Sequence, residues 1–150
     1  NFISVITVEF VESEFDTSME ENGETILSIR CPEYEKGKSN HKRTFSYLPT
    51  VNTKGIAVYI NRNIFEKKCT TALEISDRIT FQDGAKFKLM AFLCHKGGSN
   101  TSGHYIAYAR RNDKWYEFND NMVTEKENIN LRNFSGDVTM VFYNRLTGAE

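Results

Sequence analysis

Short runs of β-branched and aromatic residues recur along the chain, separated by polar or glycine-containing connections. Apolar runs of about 4–8 residues bounded by turn residues are typical of strands. The runs at 55–61, 87–95 and 138–144 are apolar throughout and predict buried strands. Weaker runs predict five further strands at 3–11, 24–30, 78–81, 104–110 and 114–119. One short helix is predicted at 125–133, with Thr124 as its N-cap.

Two of these strands form a hairpin centred on Asn112 and Asp113, residues that tolerate the left-handed backbone of a tight turn. That centre places Ile106 opposite Asn119. Because side chains alternate along a strand, His104 and Asn119 then share one face as diagonal neighbours, roughly 7–8 Å apart at the backbone. A carboxamide oxygen can reach an imidazole N–H across that distance.

A histidine beside an asparagine is half of a thiol protease triad, in which histidine takes the cysteine proton and a third group fixes the ring tautomer. The same alternation sends Tyr105 and Asp120 to the opposite face. Residues 96–103 (KGGSNTSG) predict a glycine-rich loop that a substrate backbone can approach closely. Many hairpins carry such a pair without chemistry, so a solvated or core-edge histidine remains the competing interpretation.

Several segments agree, in order, with one protein family. The strings GHYIAY (103–108) and WYEFND (115–120), followed by Val123, resemble the histidine box of ubiquitin-specific proteases. Residues 48–49 and 55–62 resemble that family's palm strand, which follows Leu-Pro and ends in arginine. Residues 72–81, 87–98 and 139–145 resemble its edge-strand segment, the strand before its catalytic loop and its closing strand. Residues before 48 match only loosely.

The resemblance implies a mixed α/β, mostly antiparallel β fold of the papain-like, ubiquitin-specific protease type, with only the fingers and palm present. Residues 1–47 would be finger-like strands and residues 48–150 the palm. The implied activity is that of a deubiquitinase, which hydrolyses the (iso)peptide bond after the C-terminal glycine of ubiquitin. Ubiquitin or ubiquitinated proteins are therefore the expected partners.

The resemblance also implies roles for individual residues. His104 would be the general base, Asn119 would orient it, and Asp120 would be an auxiliary polar residue. The narrow channel for the ubiquitin tail would be lined by Gly97, Gly98, Ser99, Gly103 and Tyr105.

The three cysteines, Cys31, Cys69 and Cys94, do not resemble the family's nucleophile box. Cys94 lies inside an apolar run, which predicts a buried thiol. We therefore expect the nucleophile on a companion chain, on a cleaved fragment that carries the thumb, or in an N-terminal part outside these residues. We also expect a large apolar contact with a second polypeptide on the His104 face. A self-contained protease using Cys94 is a further hypothesis. The family's fingers often hold zinc through two Cys-x-x-Cys pairs, but Cys31 stands alone, so no metal or cofactor is expected.

Charge and cysteine content restrict the remaining function classes. The 19 basic and 20 acidic residues nearly balance, and no basic stripe indicates nucleic-acid binding. No apolar run is long enough to predict a membrane span. An odd number of irregularly spaced cysteines favours a reducing compartment, cytoplasm or nucleus. The main alternative to an enzyme is an inactive ubiquitin-binding or scaffold module.

Overall fold

A single β-sheet dominates the computed structural model, which describes residues 3–11, 18–21, 24–30, 49–64, 67–99 and 102–147. Within those ranges the sheet contains twelve strands. The strands are β1 (Ile3–Val11), β2 (Ser18–Glu21), β3 (Glu24–Arg30), β4 (Gly55–Asn61), β5 (Asn63–Ile64), β6 (Lys67–Lys68), β7 (Arg78–Thr80), β8 (Lys86–Ser99), β9 (Ser102–Arg111), β10 (Lys114–Asn119), β11 (Met122–Lys126) and β12 (Val138–Arg145).

The strands follow the order β11-β10-β9-β8-β12-β4-β1-β3-β2, with β6 and β7 pairing with β8 and β5 pairing with β6. Most pairs are antiparallel, and β1 is parallel to both β3 and β4. The predicted class, mixed and mostly antiparallel, is confirmed. The boundary between finger-like residues 1–47 and palm residues 48–150 stays a prediction, and β1 is hydrogen-bonded directly to β4 across it.

Two local predictions are wrong. The segment predicted as a helix at 125–133 begins inside β11 and contains only a short 3₁₀ helix, Leu131–Phe134. Asn130, rather than Thr124, caps it by accepting a hydrogen bond from the Arg132 backbone N–H. The glycine-rich loop at 96–103 is largely strand, because β8 continues to Ser99 and β9 begins at Ser102.

The core lies on one face of the sheet. Its buried strand residues include Ile56, Ile60, Phe87, Leu89, Phe92, Cys94, Tyr108, Trp115, Val138, Val141 and Tyr143. The segments on either side of β7 and before β12 fold over this face, contributing Leu73, Ile75, Leu131 and Phe134. Phe92 stacks on Tyr108 with ring centroids 4.9 Å apart, and Phe134 packs against both rings at 5.1 and 4.8 Å. Aromatic packing therefore fixes β8 and β9, which lead to His104.

The opposite face of the sheet is much less covered. The pairing registers align a continuous apolar row across six strands, consisting of Tyr59, Met140, Leu93, Ala107, Phe118 and Val123. Its two ends are exposed, with Tyr59 at 42% and Val123 at 60%, and its interior is only half-buried. Because His104 belongs to the covered face, the expectation that its own face would be the open apolar one is wrong.

No helix among the described residues is both long enough and apolar enough to cross a lipid bilayer.

Candidate active site

The hairpin that carries the site forms as the sequence predicts. β9 and β10 pair with Lys114 opposite Arg111 and Phe118 opposite Ala107, so the turn is Asn112-Asp113. Both turn residues have positive φ, 50° and 63°, the backbone of a two-residue turn whose twist matches that of the strands. This register places the last residue of β10, Asn119, diagonally across from His104.

His104 and Asn119 are in direct contact. The imidazole Nε2 of His104 lies 2.5 Å from the carboxamide Oδ1 of Asn119. The carboxamide oxygen only accepts hydrogen bonds, so Nε2 carries the proton and donates it. The neutral ring then keeps its lone pair on Nδ1, the atom that can act as a base. The His104 side chain is 42% exposed, so a reacting group can reach it from solvent.

Asp120 also lies beside His104, with its Oδ2 atom 3.9 Å from Nε2. The prediction that Asp120 points to the opposite face is wrong. Asp120 has a φ of 51°, because it begins the turn that joins β10 to β11. The left-handed backbone ends the alternation of the strand and swings this carboxylate to the His104 side. Its 78% exposed side chain adds a screened negative charge next to the imidazole.

The glycines before His104 allow two strands to approach closely. Gly97 and Gly103 have φ values of 143° and 135°, and the β8–β9 register is irregular between Lys96 and Ser99. A Cβ atom on Gly103 would collide with the Lys96 carbonyl oxygen and the His95 imidazole. His104 pairs with Lys96 in this ladder, so the fit of Gly103 against β8 directly determines where His104 lies.

We expect Gly103→Ala to lower the free energy of unfolding by about 1–3 kcal/mol, since alanine is strained at this φ and collides with β8. Gly98→Ala is the matched control, because nothing lies within 4 Å of a Cβ there. We expect that change to stay within about 0.5 kcal/mol. Urea denaturation of both variants measures the difference. Equal stabilities for the two would contradict the close approach of Gly103 to β8.

Two lysines and Asp137 form a charged cluster beside the end of β8 that pairs with His104. The Lys68 ammonium is buried and donates to the His95 carbonyl oxygen at 2.6 Å and to Asp137 Oδ1 at 2.7 Å. Lys96 donates to the second oxygen, Oδ2, of Asp137 at 3.0 Å. Desolvation acts to raise the pKa of Asp137, but the two lysines outweigh it and lower the pKa. Asp137 thus ties β6 and the His104-paired end of β8 to the start of β12.

Arg62 is buried just after β4 and connects this strand to the segments 69–71 and 135–138. From the sequence it is identified only as the end of a palm-like strand. Its guanidinium donates to the carbonyl oxygens of Val138 at 2.8 Å and of Ser135 at 2.7 Å. It also donates to the carbonyl oxygens of Cys69 at 3.1 Å and Thr71 at 2.7 Å. Arg62 therefore ties two segments of the irregular chain that covers the core to the end of β4.

Neither described cysteine is suited to be a nucleophile. Cys94 shares the face of His104 and lies opposite Ile106, one diagonal step away, but its side chain is fully buried. Desolvation raises the pKa of the Cys94 thiol to about 12. The positive charge of Lys96 acts in the opposite direction but does not offset the desolvation. Cys69 is also buried, and its thiol contacts Thr71 Oγ1 at 3.2 Å. Both are free cysteines, whereas Cys31 lies outside the described residues.

Peptide mapping after alkylation tests the burial of Cys94. We expect iodoacetamide at pH 8 to leave Cys94 unmodified in the folded protein and to modify it in urea, since only the thiolate reacts. Rapid modification of Cys94 in the folded protein would contradict its burial.

On the face opposite His104, Tyr105 and His95 border a cavity of about 340 Å³. Their rings are in contact, with centroids 4.9 Å apart. His95 is 3% exposed, whereas Tyr105 is 60% exposed. The structure thus places Gly97, Gly103 and Tyr105 around the start of β9, while Gly98 and Ser99 continue along β8 toward its end. The roles of these residues toward a substrate stay predictions.

Within the described ranges, no group of three or more histidine, cysteine or acidic side chains is arranged to hold a metal ion.

Comparison with known proteins places these features in a family. Residues 8–143 match the family model described as ubiquitin carboxyl-terminal hydrolase. The chain belongs to the ubiquitin carboxyl-terminal hydrolase family. The prediction made from the histidine box is confirmed at that level. A curated member, ubiquitin carboxyl-terminal hydrolase A of Dictyostelium discoideum, is 31% identical over 68 residues. That alignment covers 45% of this chain and 8% of the longer relative.

Several solved structures are also similar to this chain in fold. A yeast SAGA DUBm structure aligns with a TM-score of 0.52 at 20% identity, covering 63% of this chain and 25% of that chain. The SAGA Ubp8/Sgf11/Sus1/Sgf73 DUB module bound to ubiquitin aldehyde aligns with a TM-score of 0.52 at 19% identity over the same shares. An essential yeast splicing factor aligns with a TM-score of 0.52 at 18% identity, covering 63% of this chain and 25% of that chain. At these identities the likeness establishes the fold, and the chain spans about a quarter of each structure.

Proposed function

We propose that this chain is the base-carrying part of a deubiquitinase that hydrolyses the bond after the C-terminal glycine of ubiquitin. One observation carries the proposal. His104 and Asn119 meet at 2.5 Å at the ends of two neighbouring strands, where the imidazole is accessible and its lone pair lies on Nδ1. Membership of the hydrolase family gives that pair its chemical context, since a lone histidine–asparagine contact has no specific function by itself.

The proposed reaction uses the two ring nitrogens differently. His104 Nδ1 removes the proton of a cysteine thiol, and the resulting thiolate attacks the terminal glycine carbonyl of ubiquitin. The imidazolium then protonates the leaving lysine amine as the thioester forms. In the second half, Nδ1 removes a proton from water, which attacks the thioester and releases the ubiquitin carboxylate. Asn119 keeps Nε2 protonated throughout, so that Nδ1 is the atom that exchanges protons.

Substrate binding is proposed for the segment that leads into the base. The paired ends of β8 and β9 carry the residues predicted to line the channel of the ubiquitin tail: Gly97, Gly98, Ser99, Gly103 and Tyr105. The last two residues of a tail that ends in Gly-Gly have no side chains, so they can pass close to a backbone rich in glycine. Tyr105 is exposed and available for contact with an arriving chain.

The nucleophile is proposed to come from polypeptide outside these 150 residues. Burial of Cys94 and Cys69 supports this assignment. The half-buried apolar row from Tyr59 to Val123 supports a companion polypeptide, because an apolar sheet face of this extent favours coverage. His104 and Tyr105 are consecutive residues near the start of β9, so a companion seated on the open face can reach the His104 side around that end. A cytoplasmic or nuclear location remains part of the proposal.

Labelling with ubiquitin that carries a C-terminal thiol trap tests the proposal. The experiment uses the protein together with every polypeptide that copurifies with it, identified beforehand by intact mass spectrometry. We expect the adduct on a cysteine outside residues 1–150. An adduct on Cys94 would instead support a self-contained protease. Failure to form any adduct would favour a binding module without activity.

The second candidate function is therefore a non-catalytic ubiquitin-binding or scaffold module. The specific observation in its favour is that the same fold occurs in a yeast splicing factor. Turnover separates the two candidates. The scaffold binds ubiquitin but never releases a group from its C-terminus, whereas the deubiquitinase releases that group and loses this activity after His104→Ala.

A further inference from the structure

A second candidate site lies at the turn end of the β9–β10 hairpin. A cavity of about 530 Å³ opens where β7, β8, β9 and the end of β12 converge. Four cationic side chains line it, one from each of these strands: Arg78, Lys88, Arg110 and Arg145. Arg110 is six residues beyond His104 along β9, a separation of about 20 Å in an extended strand. The cavity is therefore separate from the proposed active site.

The cavity has more cationic side chains than carboxylates that pair with them. Arg110 Nη2 pairs with Asp77 Oδ1 at 2.5 Å, and Lys88 Nζ pairs with Asp113 Oδ1 at 3.3 Å. Arg145 donates to two backbone carbonyl oxygens, which carry no formal charge. Arg78 has no hydrogen-bond or ionic partner among the residues that the structure describes. Two of the four positive charges are thus left without a carboxylate.

Arg110 is largely buried beside the cavity. Its guanidinium lies over the Trp115 ring at 4.8 Å, and its side chain is 13% exposed. Its Nε atom is buried and has no hydrogen-bond partner in the described part of the chain. Because Nε is buried, a ligand in the cavity would contact Arg110 through its terminal nitrogens, and the contact with the Trp115 ring holds the guanidinium beside the cavity.

The geometry points to a binding site for a phosphoryl group. A phosphate monoester carries close to two negative charges at neutral pH, which matches the two unbalanced cations. Its terminal oxygens point in three directions and can accept from donors on separate strands, whereas a carboxylate presents its two oxygens in one plane. The phosphoryl group could belong to a phosphorylated side chain or to free inorganic phosphate.

NMR titration of the whole chain tests this assignment. The probes are inorganic phosphate and the peptides Gly-Gly-phosphoserine-Gly-Gly and Gly-Gly-Glu-Gly-Gly, and the signal is the Nε–H resonance of Arg110. We expect saturable shifts with a phosphate probe and about tenfold weaker binding after Arg78→Gln. Arg78 is exposed, so this variant should fold normally. Arg111→Gln, which changes an exposed arginine outside the cavity, is the control and should leave binding unchanged.

The two phosphate probes distinguish the sources of the ligand. Tighter binding of the phosphopeptide indicates a phosphorylated side chain, and tighter binding of inorganic phosphate indicates the free anion. Three results would overturn the proposal. These are no saturable shift with either phosphate probe, equal affinity for the glutamate peptide, or equal weakening by Arg111→Gln.

Discussion

Replacing His104 by alanine is expected to lower kcat/KM for ubiquitin C-terminal hydrolysis by about 10²–10⁴-fold, the usual contribution of a general acid–base group. The imidazole is proposed to transfer the proton in both halves of the reaction. The alanine variant therefore lacks the base for acylation and for deacylation. The assay is release of a fluorescent amine from the C-terminus of ubiquitin. It uses the protein with the polypeptide that carries its nucleophile.

The controls separate chemistry from folding. His104 is 42% exposed, so its loss should change the free energy of unfolding by less than about 0.5 kcal/mol. Asn119→Ala should reduce turnover less than His104→Ala, because the imidazole remains. Only the hydrogen bond that fixes its tautomer and orientation is lost. Asp120→Asn keeps the shape of an exposed side chain and should have the smallest effect. Full turnover in His104→Ala would contradict the assignment of the base.

The largest effect on stability is expected at Arg62. Arg62→Leu should lower the free energy of unfolding by about 3–5 kcal/mol, because four backbone carbonyl oxygens would lose their hydrogen bonds to a charged donor. The carbonyl oxygens of Val138 and Cys69, two buried residues, would lose this donor, whereas that of Ser135 still accepts from the Leu73 backbone N–H. Chemical denaturation followed by tryptophan fluorescence provides the measurement, since Trp115 lies in the core.

Arg132→Leu is the matched control for this change. Arg132 is exposed, so the same substitution should alter stability by no more than about 0.5 kcal/mol. A small effect at both positions would show that the segment covering the core is held by its apolar contacts rather than by the guanidinium of Arg62.

The hairpin shows which features the sequence determines locally. Turn chemistry at Asn112 and Asp113 sets the register, and the register alone brings His104 to Asn119. The same reasoning misplaces Asp120, because strand alternation ends where the backbone becomes left-handed. The position of that change depends on the following turn into β11, a strand that the sequence did not predict.

Other features depend on contacts between residues far apart in the sequence. The bond between Lys68 and Asp137 joins positions 69 residues apart, and no spacing pattern connects them. The glycines at 97 and 103 suggested a loop, but their backbone instead allows β8 and β9 to pair past a register irregularity. Propensity favours a loop there, and the tertiary pairing overrides it. The half-buried apolar row takes one residue from each of six strands, so no single segment of the sequence reveals it.

The most direct test of the proposed site is the protonation pattern of the His104 ring. Two-bond ¹⁵N–¹H couplings in ring-labelled protein, recorded above the pH at which histidine is charged, distinguish the two tautomers. The hydrogen bond to Asn119 Oδ1 predicts a proton on Nε2 and a lone pair on Nδ1, with this preference lost in Asn119→Ala. A proton on Nδ1, or a pattern that Asn119→Ala leaves unchanged, would contradict the assignment of His104 as a base oriented by Asn119.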